Sequence, residues 1–273
     1  MLKHRVITAL ILGPLVIAVI LFASAEVIEL LLAAVLVLAA NEWVRLAGLA
    51  NWWMRLLFAL FLVGIAFLGR TYAATINLYQ WVYGLALAWW IFVTLWLFLV
   101  QYRELSFGAN RLIKLLIGVP VLLPMCYAFS DLYRQYDLGA ELVLFIVLLV
   151  WSADIGAYFA GRFYGKRKLA PIISPGKTIE GVGGGVLAAV ALALLSAFYF
   201  EFSNMQLFYF VMISIAAALI SVVGDLFESL LKRQAGIKDS GSIMPGHGGV
   251  LDRIDSLTAA APIFVFGYSS LVI

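Results

Sequence analysis

Charged residues are scarce in this 273-residue sequence, which contains 12% Asp, Glu, Lys and Arg against 65% hydrophobic residues. The mean hydropathy is +1.07, which excludes a water-soluble globular domain. The single cysteine, Cys126, excludes an intrachain disulfide and a cysteine-built zinc site. The net charge of +3 is too small to indicate a nucleic-acid partner. The composition therefore predicts an all-α, polytopic integral membrane protein.

Long apolar runs account for most of the chain, and each is close to the length of about 20 residues that crosses a bilayer as a helix. Residues 6–23 are followed by a sequence similar to a signal-peptidase site, but the run exceeds a signal-peptide core, so we expect a retained helix. Nine transmembrane helices are predicted in all, at 6–23, 27–43, 53–69, 80–100, 112–130, 141–160, 182–200, 206–227 and 254–272.

The basic residues indicate how these spans are oriented. With a cytoplasmic N-terminus, every Lys and Arg except Arg70 and Arg134 falls on the cytoplasmic side, as the positive-inside rule requires. Nine spans then leave the C-terminus outside. Glu42 and Arg45 lie at the cytoplasmic end of the second span, where a local ion pair is the simpler interpretation and a role in a site is the alternative.

The first unusual segment surrounds an acidic residue within an apolar span. Asp154, Tyr158 and Arg162 follow at four-residue steps and would share one helical face. An ionisable group at that depth is costly, which favours a site. The alternatives are that Asp154 pairs with Arg162 or caps a broken helix.

A glycine-containing loop follows this span. Gly176 precedes Lys177, so backbone amides and an ammonium could approach a polyphosphate together. The spacing of a Walker motif is absent. The glycines that follow predict close helix packing in the bilayer, and they are Gly181, Gly183, Gly184 and Gly185.

The second unusual segment joins the last two spans and carries the stronger signal. Asp225 is followed at spacings of 3, 4 and 7 by Glu228, Ser229 and Lys232, which share one side of a continuing helix. Asp252 and Asp255 repeat the spacing of 3 in the next span. Carboxylates from two helices form a hard-oxygen site suited to Mg²⁺. Cations surround it, as phosphoryl and nucleotidyl transfer require: Lys232, Arg233, Lys238 and Arg253.

Several of these residues have simpler explanations. Lys232 and Arg233 could be topology anchors, and Glu228 could pair with Lys232 on the surface. His247 lacks soft companions for zinc, which leaves a loop ligand, a proton donor or a brace of the turn. Gly248 and Gly249 could permit tight turns or expose backbone to an anion.

In order and spacing, four motifs resemble the signature of the CDP-diacylglycerol synthase (phosphatidate cytidylyltransferase) family. They are Ser-Leu-Leu-Lys-Arg at 229–233, Lys238-Asp239, Pro-Gly-His-Gly-Gly at 245–249 and Asp-Arg-Ile-Asp at 252–255. The segments around Asp154 and Lys177 are also similar to bacterial members, so the resemblance covers about 150–260. Asn41 stands before Glu42, where a bulky residue is expected.

This resemblance implies a bacterial enzyme of the cytoplasmic (inner) membrane that converts CTP and phosphatidate to CDP-diacylglycerol and pyrophosphate. Its cofactor would be Mg²⁺, with a second, monovalent cation such as K⁺, and it would act as a homodimer. Residues 1–140 would provide packing, lipid access and dimer contacts, whereas 141–273 would form the catalytic region with two cytoplasmic loops.

The resemblance also implies roles for individual residues. The metal ligands would be Asp225 and Asp252, and Asp255 would be a third ligand or would orient the other two. Ser229 and Lys232 would complete the catalytic set. The substrate-binding residues would be Asp154, Lys177, Arg233, Lys238, Asp239, His247, Gly248, Gly249 and Arg253. Asp154 would hold the second cation or position a basic residue. The alternatives are a CTP-dependent lipid kinase, an ion-coupled transporter and a structural membrane scaffold.

Overall fold

The computed structural model describes residues 2–49, 51–72, 78–103, 110–243 and 248–271, and these ranges contain nine helices in the predicted order. Seven of them, α2 to α8, are long and apolar enough to cross a membrane, which confirms a polytopic helical membrane protein. The bounds are α1 (Leu2–Phe22), α2 (Ala25–Leu46), α3 (Trp52–Tyr72), α4 (Leu78–Arg103), α5 (Arg111–Gln135), α6 (Gly139–Tyr164), α7 (Ile179–Tyr199), α8 (Asn204–Gln234) and α9 (Leu251–Ser269).

Helix α8 continues well beyond its apolar part, as the spacing of its polar residues predicts. It spans 31 residues and carries Lys232 and Arg233 in its last turn, where cations interact favourably with the helix dipole. Gly236 follows with a φ of 70°, the left-handed conformation that commonly ends a helix. The polar motif of α8 therefore lies on helix rather than in a loop.

A short hairpin departs from the all-α prediction. Strands β1 (Lys168–Ala170) and β2 (Ser174–Thr178) pair antiparallel, with Lys168 opposite Thr178 and Ala170 opposite Ser174. Strands of three and five residues are too short to show a period of two in the sequence. The segment expected to be an irregular loop is therefore an ordered connection between α6 and α7.

The chain forms two compact units that interleave along the sequence. The first unit comprises Met1–Trp81, Phe107–Leu144 and Leu231–Ile254. In it α2 packs against α3 and α5, and the Trp43 indole donates a hydrogen bond to the Lys114 carbonyl at 2.9 Å.

The second unit comprises Val82–Ser106, Phe145–Leu230 and Asp255–Ile273. Its core contains an aromatic cluster from three helices, because Phe145 lies 4.7 Å from Phe210 and 5.5 Å from Phe264 between ring centroids. Buried aromatic rings at such distances stabilise the packing of the helices that carry them. The aromatic cluster therefore holds α6, α8 and α9 together within this unit.

Candidate active site

A cavity of about 560 Å³ lies in the second unit, lined by residues of α6, β2, α7 and α8. Its walls are mainly apolar, but seven polar or charged side chains line it, as sites for small polar ligands require: Asp154, Tyr158, Arg162, Ser174, Lys177, Thr178 and Asp225. The Arg162 guanidinium donates a hydrogen bond to the Tyr158 hydroxyl at 2.9 Å. The shared helical face predicted for Asp154, Tyr158 and Arg162 is therefore confirmed, and it faces this cavity.

Lys177 and Asp225 form an ion pair in this cavity. The Lys177 ammonium lies 2.7 Å from Oδ2 of Asp225, and both side chains are about one-quarter exposed, at 26% and 30%. The Ser229 hydroxyl donates to the other oxygen of Asp225 at 3.2 Å. The structure thus brings together three predicted site residues. Lys177 is 48 positions from Asp225 in the sequence, and Ser229 follows Asp225 by one helical turn.

The hairpin and the start of α7 place Lys177 at the cavity. Thr178 is the N-cap of α7, since its hydroxyl accepts a hydrogen bond from the Gly181 amide at 3.0 Å. Glu180 accepts hydrogen bonds from the backbone amides of Lys166 and Arg167 at 3.0 and 3.1 Å. Both ends of the hairpin are therefore fixed to α7.

Close packing of α6 on α7 completes the wall of the cavity. A side chain at Gly184 would meet Ala160 and the carbonyl of Gly156, and one at Gly185 would meet the carbonyl of Ala153. The prediction of close helix packing is confirmed for Gly181, Gly184 and Gly185. It is wrong for Gly183, because no described atom lies within 4 Å of a Cβ built there.

Three carboxyl groups gather where α8 meets α9 in the second unit. Gly224 lets the two backbones approach, since a side chain there would clash with the Asp255 carbonyl. Asp225 and Glu228 both lie within electrostatic range of Asp255. Glu228 is 3% exposed, so the alternative of a surface residue is wrong. Helical spacing alone did not predict that Glu228 is buried beside Asp255.

These groups fit a hard cation in their chemistry. Among the described residues, no group of three or more His, Cys, Asp or Glu side chains is arranged to hold a metal ion by itself. Mg²⁺ is usually held by one or two carboxylates together with substrate phosphates, so such a group is not required. Asp225 and Asp255, with the Ser229 hydroxyl, provide oxygen ligands of the right kind.

In the first unit, Asp252 receives hydrogen bonds from several directions. Oδ1 accepts from the Lys232 ammonium at 2.6 Å. Oδ2 accepts from the backbone amides of Ser240 and Gly249 at 2.9 and 2.8 Å, and from the Ser240 hydroxyl at 2.9 Å. These contacts fix Asp252 and Lys232 in one arrangement, which links the end of α8, the loop after it and the first turn of α9.

Two glycines fit tightly around this arrangement. Gly248 has a φ of 83°, and a side chain there would meet the Asp252 carboxylate and the Cβ of Asp239. A side chain on Gly249 would meet the carboxylate of Glu42 and the Ser240 hydroxyl. Gly248 is therefore required by its left-handed backbone and Gly249 by close approach.

Glu42 is a buried neighbour of this loop, and the prediction of a local ion pair with Arg45 is wrong. Its carboxylate accepts hydrogen bonds from the amides of Val250 and Leu251 at 3.0 and 2.7 Å, and from the Ser240 hydroxyl at 3.0 Å. Its partners lie about 200 positions away in sequence, so local spacing could not find them. The only signal was an acidic residue near the end of an apolar span.

The remaining predicted residues lie outside these two arrangements. Four are exposed to solvent: Arg233, Lys238, Asp239 and Arg253. His247 lies outside the described residues. Their contact with a substrate stays a prediction.

The fold and the cavity together define a polytopic helical membrane protein with charged side chains in a cavity among its helices. The cytidylyltransferase family model matches residues 3–271, and the chain belongs to this family.

Curated relatives carry a more specific name. The chain is 41% identical over 268 residues to the phosphatidate cytidylyltransferase of Pseudomonas aeruginosa, covering 97% of this chain and 96% of the relative. It is 38% identical over 290 residues to that of Haemophilus influenzae, covering 98% and 99%. The enzyme of the same name from Bacillus subtilis is 41% identical over 143 residues, 52% of this chain and 53% of the relative.

Proposed function

We propose that this protein transfers the cytidylyl group of CTP to phosphatidate, giving CDP-diacylglycerol and pyrophosphate for phospholipid synthesis. The observation that carries the proposal is the Lys177–Asp225 ion pair in a cavity formed by membrane helices. A lysine can bind the phosphates of CTP, whereas a carboxylate can hold the cation that accompanies them. The names of relatives similar over nearly the whole chain support the same reaction.

The reaction needs no covalent intermediate on the protein. An oxygen of the phosphatidate phosphate attacks the α-phosphorus of CTP, and a new phosphorus–oxygen bond forms. The bond from that phosphorus to the oxygen bridging to the β-phosphate breaks, and pyrophosphate leaves with the electron pair. Because the nucleophile is already an anion, catalysis reduces to alignment and charge neutralisation.

Charged side chains would supply both effects. Lys177, Lys232 and Arg233 would bind the CTP phosphates, and Ser229 would lie near the metal or a phosphate. The bound metal would neutralise charge on the phosphates. Further contacts to the substrates would come from Lys238, Asp239, His247, Gly248, Gly249 and Arg253.

The acidic residues would hold the cations. Mg²⁺ would be bound by Asp225 and Asp255 of the second unit. Asp252 is proposed as a further ligand on the strength of its sequence motif, in exchange for its bond to Lys232. Asp154 would hold a monovalent cation such as K⁺ or orient Arg162. Chelation of divalent ions is expected to stop turnover, and adding Mg²⁺ is expected to restore it.

The topology that we propose has nine spans, a cytoplasmic N-terminus and an external C-terminus, with the site facing the cytoplasm of a bacterial cell. Arg70 and Arg134, the two exceptions to the positive-inside rule, both pair with Glu29 at 2.6 and 2.5 Å, which neutralises part of their charge. Reporter fusions at both termini test this orientation.

We also propose a homodimer, with contacts in 1–140, which cross-linking in membranes tests.

The reaction is tested with purified protein, phosphatidate and CTP that is radiolabelled at the α-phosphate. We expect the label to appear in the lipid product, whereas a lipid kinase would leave it in CDP. CTP labelled at the γ-phosphate provides the reverse comparison, because its label would enter the lipid only with a kinase. Absence of label from the lipid in both experiments would favour a transporter or scaffold and contradict the proposal.

A further inference from the structure

Glu42 lies at the opposite end of α2 from Glu29, and its surroundings are unlike those of a residue that only anchors a helix in the membrane. It is 3% exposed, and burial of a carboxylate is unfavourable unless hydrogen bonds compensate it. The Val250 and Leu251 amides donate to it, and the Ser240 hydroxyl lies within hydrogen-bond distance as a third donor that Glu42 shares with Asp252. Within the part of the chain that the structure describes, the acid on α2 is therefore bonded to Ser240 and to the start of α9.

Two of these donors belong to the N-terminus of α9. Val250 immediately precedes the helix and Leu251 is its first residue, so their amides have no acceptor within the helix. A negative charge at this end of a helix is also favoured by the helix dipole. Glu42 thus performs the role of an N-cap from another helix, and it fixes where α9 begins.

The third donor connects Glu42 to Asp252. The Ser240 hydroxyl lies 3.0 Å from Oε2 of Glu42 and 2.9 Å from Oδ2 of Asp252. A hydroxyl has one hydrogen to donate, so it binds one carboxylate at a time and remains between the two. The Ser240 amide holds Asp252 at the same time. Movement of Ser240 would therefore change the position of Asp252.

We propose that Glu42 is a positioning residue for cytidylyl transfer, which acts through Ser240 and the start of α9 to hold Asp252 against Lys232. This inference rests on the proposed function, in which Asp252 and Lys232 take part in the reaction. Glu42 itself contacts neither substrate. The role explains why a buried acid lies in a helix that carries no other part of the proposed site.

The Glu42→Gln variant tests the role with little change in volume. The Val250 and Leu251 amides donate to different oxygens of Glu42, and in glutamine one of these oxygens is replaced by an NH₂ group, which cannot accept a hydrogen bond from an amide. We expect kcat to fall by about tenfold or more while the KM for phosphatidate changes by less than about threefold, because alignment rather than lipid binding is lost. Activity is normalised to the folded fraction, which is measured by thermal unfolding of the same samples.

Glu29→Gln is the matched control on the same helix. Glu29 is also acidic and mostly buried, but it binds Arg70, Arg134 and Ser130. We expect this change to lower the unfolding temperature and to leave kcat per folded molecule unchanged. If Glu42→Gln loses activity only in proportion to folded protein, or retains kcat within about twofold, the positioning role is wrong.

Ser240→Ala is the second test, and it decides the question if Glu42→Gln does not fold. This change removes the hydroxyl between the two carboxylates and leaves the cap of α9 intact. We expect kcat to fall, and the Glu42→Gln, Ser240→Ala double variant to lose less than the product of the two single effects, since both act through one connection. Wild-type kcat in Ser240→Ala would overturn the inference.

Hydrogen exchange separates this inference from the proposed function. We expect the Val250 and Leu251 amides to exchange faster in Glu42→Gln than in the wild type, and the Ser240 amide to do the same. This readout needs no turnover. If the wild type transferred no cytidylyl group, the function would fail while exchange still tested the contacts. Unchanged exchange at all three amides would show that Glu42 does not hold this segment.

Discussion

The Lys232 ammonium and the Asp252 carboxylate form an ion pair whose members are only 12% and 6% exposed. Substituting only one member of such a buried ion pair is costly, because the remaining charge loses its partner and is not solvated by water. Burial also means that the two side chains are held in place before any substrate arrives. Their positions are therefore part of the folded structure, and their substitutions should affect both stability and turnover.

Substituting either Asp252 or Lys232 alone should lower the unfolding free energy more than substituting both. In Asp252→Asn the amide can still accept from Ser240 and Gly249, but it no longer neutralises Lys232. We expect a loss of about 1–3 kcal/mol in unfolding free energy and a fall in turnover of at least about 100-fold.

Lys232→Gln should destabilise the protein in the same way and should also raise the KM for CTP, because a phosphate contact is lost. The double variant is expected to recover part of the stability but none of the turnover. Thermal unfolding and initial rates measure the two effects. Additive losses of stability would show that the pair is not coupled.

Gly248 provides a second test of the contacts around Asp252. Gly248→Ala forces a side chain into a left-handed conformation, at a cost of about 1–2 kcal/mol, and pushes it against the Asp252 carboxylate. We therefore expect it to lose both stability and activity.

Gly236→Ala is the matched control for Gly248→Ala. Gly236 has a similar φ of 70°, but no described atom lies within 4 Å of a Cβ built there. It should show the backbone cost alone and keep wild-type turnover per folded molecule. Equal activity per folded molecule in Gly248→Ala and Gly236→Ala would show that a side chain packed against Asp252 does not impair turnover, which would contradict this prediction.

The Glu29 cluster should contribute to stability rather than to chemistry. Its carboxylate binds Arg70, Arg134 and the Ser130 hydroxyl. Glu29→Gln removes the charged partner of Arg70 and leaves Arg134 only its longer pair with Glu26, at 3.8 Å. Because both arginine side chains are more than one-third exposed, at 44% and 34%, solvent screens part of the loss. We expect about 1–2 kcal/mol less unfolding free energy, measured in detergent at moderate ionic strength. No change in stability would contradict the structural role.

Much of the fold was predictable because bilayer crossing leaves a strong signal. Apolar runs of span length gave the order of all nine helices, and a helical face correctly brought Asp154, Tyr158 and Arg162 to one cavity. The continuation of α8 through Lys232 also followed from periodicity. Local geometry decided all of these features, so the sequence was sufficient for them.

The features that were missed depend on contacts between distant segments. The pairing of β1 with β2 involves too few residues for a periodic pattern. Glu42 is three positions from Arg45, yet its partners lie on the loop before α9. Spacing identifies which residues share a helical face, but it cannot identify which distant amides require an acceptor.

The central claim is tested most directly by the initial rate at which label passes from α-labelled CTP to phosphatidate in the wild type and in Asp225→Asn. Asp137→Asn is the matched control, because Asp137 is an exposed carboxylate in the turn between α5 and α6. The account predicts rapid labelling by the wild type and Asp137→Asn, and a rate at least about 100-fold lower in folded Asp225→Asn. Wild-type labelling by Asp225→Asn would contradict it.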